Sequence, residues 1–143
     1  MATLKIVIEG LSLILAIVAL LLAGKEYLSH KKTECNKLFS QLNRRFEKND
    51  NMQAVVKYLR DKEPENDRPS LYQFEVFLRF FEELGLYMKT DSLKADEVDR
   101  FFGYYLRKLY TSSRGKDLLE QLGEREEHEL ELLQIVKEKL NIK

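Results

Sequence analysis

Apolar residues are distributed very unevenly along this chain of 143 residues. The stretch from Ile6 to Gly24 is almost wholly apolar, whereas most of the remaining chain is rich in charged residues. As a helix this stretch would extend about 28 Å, close to the hydrocarbon core of a bilayer. Around Leu21, Leu22, Ala23 and Gly24 no site has small residues at both positions that signal peptidase requires, so an uncleaved anchor is favoured over a signal peptide. The sequence therefore predicts a transmembrane anchor over residues 1–24.

Basic residues are concentrated on the C-terminal side of this span. Between Lys25 and Arg45 basic residues outnumber acidic ones, whereas only Lys5 precedes the span. The positive-inside rule then places the C-terminal domain in the cytoplasm. The basic residues nearest the membrane could also contact anionic headgroups, although a plain topology signal is the preferred interpretation. They are Lys25, Lys31, Lys32 and Lys37.

One face of the predicted transmembrane helix carries small or polar residues at alternating spacings of three and four. This small-residue stripe consists of Glu9, Ser12, Ala16, Ala19, Ala23, Glu26 and His30. Small residues let helices approach closely in a bilayer, and this spacing keeps the stripe facing a left-handed neighbour. We therefore expect homo-oligomers. The stripe is interpreted either as a packing face, with Glu9 reaching the outer surface, or as the lining of a narrow pore, or as an accidental pattern.

The pattern after the span predicts helices. No glycine or proline interrupts residues 25–49, so a basic juxtamembrane stalk should continue the first helix. Its apolar positions are Cys35, Phe39, Leu42 and Phe46. A second helix is expected from Asn51 to about Lys62, capped by Asp50, and the segment KEPENDRPS that follows holds both prolines and is interpreted as a loop.

The third predicted helix begins at a capping box formed by Ser70 and Gln73. Its wide apolar arc is typical of a central helix and comprises Leu71, Phe74, Phe77, Leu78, Phe80, Phe81, Leu84, Tyr87 and Met88. A fourth helix is expected over Ala95–Tyr110. The side chains expected to face the third helix are Val98, Phe101, Phe102, Tyr105, Leu106 and Leu109.

A fifth helix is expected over Lys116–Leu140, with a break at Gly123. Its later half is amphipathic and could pack on the first helix or on a neighbouring subunit. These patterns together predict an all-α fold of about five helices, in which residues 50–143 form a cytoplasmic helical bundle.

Charge and composition argue against several classes of function. Lys+Arg and Asp+Glu are equal in number at 24 each, so no direct nucleic-acid binding is expected. One cysteine and two histidines supply no metal cluster, and no phosphate-binding glycine loop is present, so no cofactor or metal is expected. Arg125 and His128 could act on RNA from one helix face, but glutamates surround them and favour a solvated charged surface. The chain is therefore predicted not to be an enzyme.

Two segments, FSQLNRRFE and SLYQFEVFLRFFEELGLYMKTDSLKADEVDRFFGYYLRKLY, follow the single span. In this order of features the chain resembles a family of small bacterial single-span proteins with a cytoplasmic helical domain. Within that group it is most similar to the membrane accessory proteins of type VI-B CRISPR systems. The resemblance implies a divergent HEPN-like domain and a ring-shaped homo-oligomeric pore in the bacterial inner membrane.

By this resemblance the pore would enhance antiphage defence by depolarising the membrane, in functional partnership with an RNA-guided RNase effector. HEPN ribonucleases separate their Arg and His by four to six residues, whereas two residues lie between Arg125 and His128. The resemblance therefore does not imply a catalytic role for Arg125 and His128. The leading hypothesis is a non-enzymatic pore, the alternative is a membrane-tethered domain that recruits a cytoplasmic partner without conducting, and the third is a HEPN-type RNase.

Overall fold

The computed structural model describes residues 2–60, 68–123 and 131–143. This part of the chain is helical throughout its regular structure and contains no strand, which confirms the predicted all-α fold. The chain folds as two compact units, Met1–Leu38 and Phe39–Lys143. The second unit therefore begins inside the segment that the sequence assigns to the stalk.

The first unit consists of the N-terminal part of helix α1 (Ala2–Lys48). By length and composition, α1 is the one helix of the described chain that is able to cross a membrane. A signal sequence near an N-terminus meets the same criteria. The large apolar side chains between Leu4 and Leu28 are exposed in the isolated chain. Exposure of so many apolar side chains suits contact with lipid, because a soluble helix would bury them.

The second unit contains the end of α1 and six further α-helices with one π-helical turn among the described residues. These are α2 (Asp50–Arg60), α3 (Leu71–Lys89), α4 (Ala95–Val98), the π-helical turn (Asp99–Gly103), α5 (Tyr104–Thr111), α6 (Ser113–Leu122) and α7 (Glu131–Lys139). The backbone stays right-handed helical across both ends of the π-helical turn, so α4 to α5 corresponds to the predicted fourth helix. The predicted break at Gly123 is confirmed, with a φ of 60° there, although α6 begins before Lys116.

Side chains cap the starts of α2 and α3. The predicted capping box of α3 is confirmed. The backbone N–H of Gln73 donates to Ser70 Oγ at 3.2 Å, and the backbone N–H of Ser70 donates to Gln73 Oε1 at 2.9 Å. The predicted cap of α2 is wrong by one residue. Asn49 Oδ1 accepts from the N–H groups of Asn51 and Met52 at 3.0 and 3.1 Å. Asp50 lies in the first turn, where its carboxylate complements the helix dipole.

Helix α3 is the central helix, as predicted, and α2 and α7 pack against it. Its buried residues are Phe74, Phe77, Leu78, Phe80, Phe81, Leu84, Gly85 and Met88. Leu71 was expected in this set, but it lies in the first turn and is 46% exposed. The last helix, expected on the first helix or on another subunit, packs on α3 within the chain. Gly85 has no side chain, and the backbone of α7 at Leu132 fills the space beside it.

Phe46, near the end of α1, is the centre of an aromatic cluster. Its ring centroid lies 5.1 to 5.2 Å from those of Phe80, Phe102 and Tyr105, and Phe77 and Phe81 lie slightly farther away. Phe46 is only 3% exposed. Several of these pairs are tilted or edge-to-face, which is the arrangement that aromatic quadrupoles favour. The last turns of α1 are therefore part of the core of the second unit.

Phe101 departs from the predicted core. It is 46% exposed and packs on Phe39 of α1 at a centroid distance of 4.6 Å, whereas Phe102 is buried against Phe80. The π-helical turn that contains both residues changes the angular spacing assumed for a regular α-helix. Tyr105, also expected to face α3, contacts Phe46 of α1.

Truncation of the central aromatic side chains should strongly destabilise the second unit. Phe77 and Phe81 are fully buried, so Phe77→Ala or Phe81→Ala should lower the free energy of unfolding by about 3–5 kcal/mol. Tyr72→Ala is the matched control, because Tyr72 lies on the same helix and is 64% exposed. Denaturant unfolding of the detergent-solubilised chain, followed by near-ultraviolet circular dichroism, measures both. Equal effects of core and control variants would contradict the described core.

Gly85→Ala tests the close approach of α3 and α7. The added methyl group would overlap the carbonyl oxygen of Leu132 and lie 3.1 Å from Val136 Cγ2. Alanine gains at most about 1 kcal/mol of helix propensity, so overpacking should prevail, with a net loss of about 1–3 kcal/mol. Gly10→Ala is the control, because a methyl group there meets nothing within 4 Å. A Gly85→Ala variant as stable as the parent in the same unfolding assay would refute the close packing.

Candidate functional site

The small-residue stripe lies on α1, and every one of its residues is exposed in the isolated chain. Ser12 does not require an outside partner, since its hydroxyl donates to the Ile8 carbonyl within the same helix at 2.9 Å. Ala16, Ala19 and Ala23 present only methyl groups. The middle of the stripe therefore offers a smooth surface on which another helix backbone could lie closely.

The C-terminal end of the stripe is polar. His30 Nδ1 lies 4.0 Å from Glu34 Oε1, and both side chains are largely exposed, so this contact is a weak surface pair. Glu26, one turn before His30, is also exposed. The predicted membrane-surface residues are exposed too, as required for contact with headgroups. They are Lys25, Lys31, Lys32 and Lys37.

The low-priority pair Arg125 and His128 lies outside the described residues. Its suggested role in RNA cleavage therefore stays a sequence-based hypothesis. Within the described part of the chain, no group of three or more His, Cys, Asp or Glu residues could hold a metal ion. No charged side chain is buried among those residues either.

An ion pair links α1 to α3. The Arg45 guanidinium donates to Glu83 and also lies over the ring of Phe80, with its Cζ 5.4 Å from the centroid. Glu83 in turn accepts from the Tyr87 hydroxyl at 3.2 Å. Glu83 therefore belongs to a structural contact at the edge of the aromatic core. Sequence spacing gave no signal for this pair, because Arg45 and Glu83 lie 38 positions apart.

A second polar cluster, the α2–α6 clamp, consists of Tyr58, Arg68, Arg114, Asp117 and Gln121. Arg114 donates to the Tyr58 carbonyl at 2.8 Å and its guanidinium lies 4.9 Å from the centre of the Tyr58 ring. Arg68 pairs with Asp117 at 3.0 Å, and the Tyr58 hydroxyl donates to the same carboxylate at 3.3 Å. With the Gln121 amide oriented to suit its neighbours, its oxygen accepts from Arg68. Each arginine is thus engaged within the chain, and the cluster joins the end of α2 to α6.

Three tyrosines have raised pKa values. Burial is the largest cause for each, and the carboxylates of Asp117 and Glu83 add to it for Tyr58 and Tyr87. For Tyr58, Arg68 and Arg114 act in the opposite direction. Burial alone raises the pKa of Tyr110, so of the three tyrosines it shows the effect of burial without a contribution from neighbouring charges.

Comparisons with known proteins identify no relative: no protein-family model, no curated protein and no solved structure matches the chain. The candidate site is therefore defined by its own residues. Of the residues that the sequence singled out, the structure brings the stripe together on one helix. The sequence did not predict the clusters around Glu83 and Tyr58, because their members are far apart along the chain.

Tyr110 should make the second unit sensitive to alkali. In the unfolded chain a tyrosine loses its proton near pH 10, whereas folded Tyr110, with its raised pKa, keeps it. The stabilising contribution is complete below pH 10 and is lost as the pH rises through the folded pKa. Tyr110→Phe should therefore reduce the loss of stability above pH 10, measured by unfolding at a series of pH values. Tyr104→Phe serves as the control because Tyr104 is 49% exposed, and an identical pH profile for Tyr110→Phe and the parent would contradict the prediction.

Proposed function

We propose that the chain is a single-span protein of the bacterial inner membrane whose copies associate through the small-residue stripe and form a pore. The observation that supports this most is the stripe itself, an exposed series of small and polar residues along a helix that is otherwise lined with exposed Leu, Ile and Val. Large apolar side chains suit lipid, whereas small side chains permit close contact between helices. The helical domain lies in the cytoplasm, following the basic residues after the span.

The polar members of the stripe favour a pore over plain packing. Glu9, Ser12 and Glu26 lie on the same face as the alanines, so in a ring whose contact faces also border the centre these polar groups would lie beside a water-filled channel. Such a ring relieves the unfavourable contact of the Glu9 carboxylate with lipid. Depolarisation of the membrane during RNA-guided antiphage defence follows from the resemblance described above and is part of the same proposal.

A membrane-tethered interaction domain is the second candidate. Phe101, in the π-helical turn, and Tyr104, in α5, expose about half of their surface, and Lys108 Nζ lies 5.8 Å from the centre of the Tyr104 ring. Exposed aromatic residues beside a cation are common in protein interfaces. On this view the domain recruits a cytoplasmic partner, and the span serves only as an anchor. Replacement of residues 1–24 by an unrelated membrane anchor would then preserve activity.

The proposed assembly is tested by the mass of the detergent-solubilised particle, measured by light scattering with the detergent contribution subtracted. We expect a discrete particle of about six or more chains, since fewer helices leave little room for a central channel. Ala16→Leu and Ala19→Leu should reduce this mass by filling the contact face. Val18→Leu is the matched control, because Val18 lies on the opposite side of the helix and its side chain is already large.

A conductance measurement separates the two candidates. Liposomes that contain the oligomer should leak small ions, and Ala16→Leu or Ala19→Leu should abolish the leak while Val18→Leu preserves it. A monomer or dimer in detergent would overturn the proposed assembly. A large oligomer that conducts nothing would leave the tethered interaction domain as the better candidate.

A further inference from the structure

Beyond the end of the apolar span, α1 exposes an aromatic and a large apolar side chain. Tyr27 and Leu28 are 68% and 65% exposed, and they follow Gly24 closely in the sequence. With Gly24 at the edge of the hydrocarbon, these positions lie about 4 to 6 Å beyond it. The polar interface on each side of a bilayer is about 5 to 7 Å thick, so both side chains fall within it. Tyrosine is enriched in that layer, which accommodates both its apolar ring and its hydroxyl.

Two lysines follow one turn later on the same side of the helix. Lys31 comes one turn after Tyr27, and Lys32 comes one turn after Leu28. At about 100° per residue, the four side chains occupy a sector of roughly 140° on α1. Helical side chains point back toward the N-terminus and cover the preceding turn. On this helix that direction leads to the membrane, so both ammonium groups reach the polar interface beside Tyr27 and Leu28.

Among the described residues, the acidic side chains closest in sequence form no ion pair with either lysine. Glu26 lies more than about 100° from both Lys31 and Lys32 around the helix. Glu34 lies 4.0 Å from His30. Both lysines are exposed. This side of α1 therefore presents two cations, a phenol hydroxyl and an apolar side chain together at the border of the span.

We infer that four side chains at the cytoplasmic border of the span bind the headgroup of an anionic phospholipid: Tyr27, Leu28, Lys31 and Lys32. The inference rests on the membrane span of the proposed function and is independent of the pore. The two ammonium groups bind phosphate oxygens, the Tyr27 hydroxyl donates to the same headgroup, and Leu28 contacts the start of the acyl chains. Charge complementarity selects an anionic headgroup over a zwitterionic one, because the zwitterionic headgroup carries its own cation.

The same geometry places Lys37 outside the lipid site, although the sequence groups it with the membrane-surface lysines. Its position along α1 is about 20 Å beyond Gly24, and it stays about 15 Å away even at a helix tilt of about 40°. The polar interface does not extend so far. Lys37 also lies at least about 120° from Lys31 and Lys32 around the helix. Its charge therefore contributes to topology alone.

Quenching by brominated lipids tests the site in the full chain. The chain contains no tryptophan, so Leu21→Trp supplies a single fluorescent reporter on the same side of α1, within the hydrocarbon. In vesicles, brominated phosphatidylglycerol should bind beside this reporter about fivefold more tightly than brominated phosphatidylcholine. Adding Lys31→Gln/Lys32→Gln should lower this ratio below about twofold, because the two cations are lost. Lys37→Gln/Arg44→Gln is the matched control, since it removes two exposed cations farther along α1 and should preserve the ratio.

Every variant is first tested for membrane orientation by protease accessibility of the C-terminal domain, since charges next to the span influence topology. A parent ratio near one, or an equal loss in the test and control variants, would overturn the lipid site. Efficient quenching by both lipids in that case would leave the membrane span intact. A reporter that neither lipid quenches would overturn the span, and with it both this inference and the proposed function.

Discussion

The position of Phe46 in the aromatic core constrains the rest of the second unit. Its ring contacts Phe80 of α3, Phe102 of the π-helical turn and Tyr105 of α5, so segments distant in sequence meet at one residue. Without Phe46, the rings of Phe80 and Phe102 would lose a neighbour on one side, and close-packed cores tolerate such voids poorly. The end of α1 is thus a structural part of the bundle. A shortened chain that preserves the bundle must keep the residues from Phe39 onward.

The first unit follows different physical rules from the second. In the bundle, apolar side chains are removed from water, and the described charged groups such as Arg45 and Asp117 are engaged at its surface. On α1 before Leu38, large apolar side chains are exposed in the isolated chain, which would be unstable in water and is favourable in lipid. Helix α1 therefore carries side chains suited to lipid before Leu38 and side chains buried in the core of the bundle after it.

The sequence predicted the features that depend on local spacing and failed where tertiary contact decides. Helical periodicity located α3 and its buried face, and the Ser70–Gln73 pattern located its start. The cap of α2 was placed one residue too late, because Asn49 and Asp50 are both good capping residues and only backbone geometry selects between them. Phe101 was placed in the core because a regular 3.6-residue repeat was assumed across a π-helical turn. The pair of Arg45 with Glu83 had no local signature at all.

The candidate site was predictable for a related reason, since a stripe on one helix is a local feature that the sequence displays directly. What the stripe contacts depends on molecules outside the isolated chain, so the sequence does not display it. In the bundle, charged groups beside the core find partners within the same chain, as Glu83 does with Arg45 and Tyr87. Glu9 is exposed on an apolar stretch of α1, and the ion pairs of the described residues involve other side chains. An ionisable group that a chain leaves exposed on an apolar helix requires water or a polar group from another molecule.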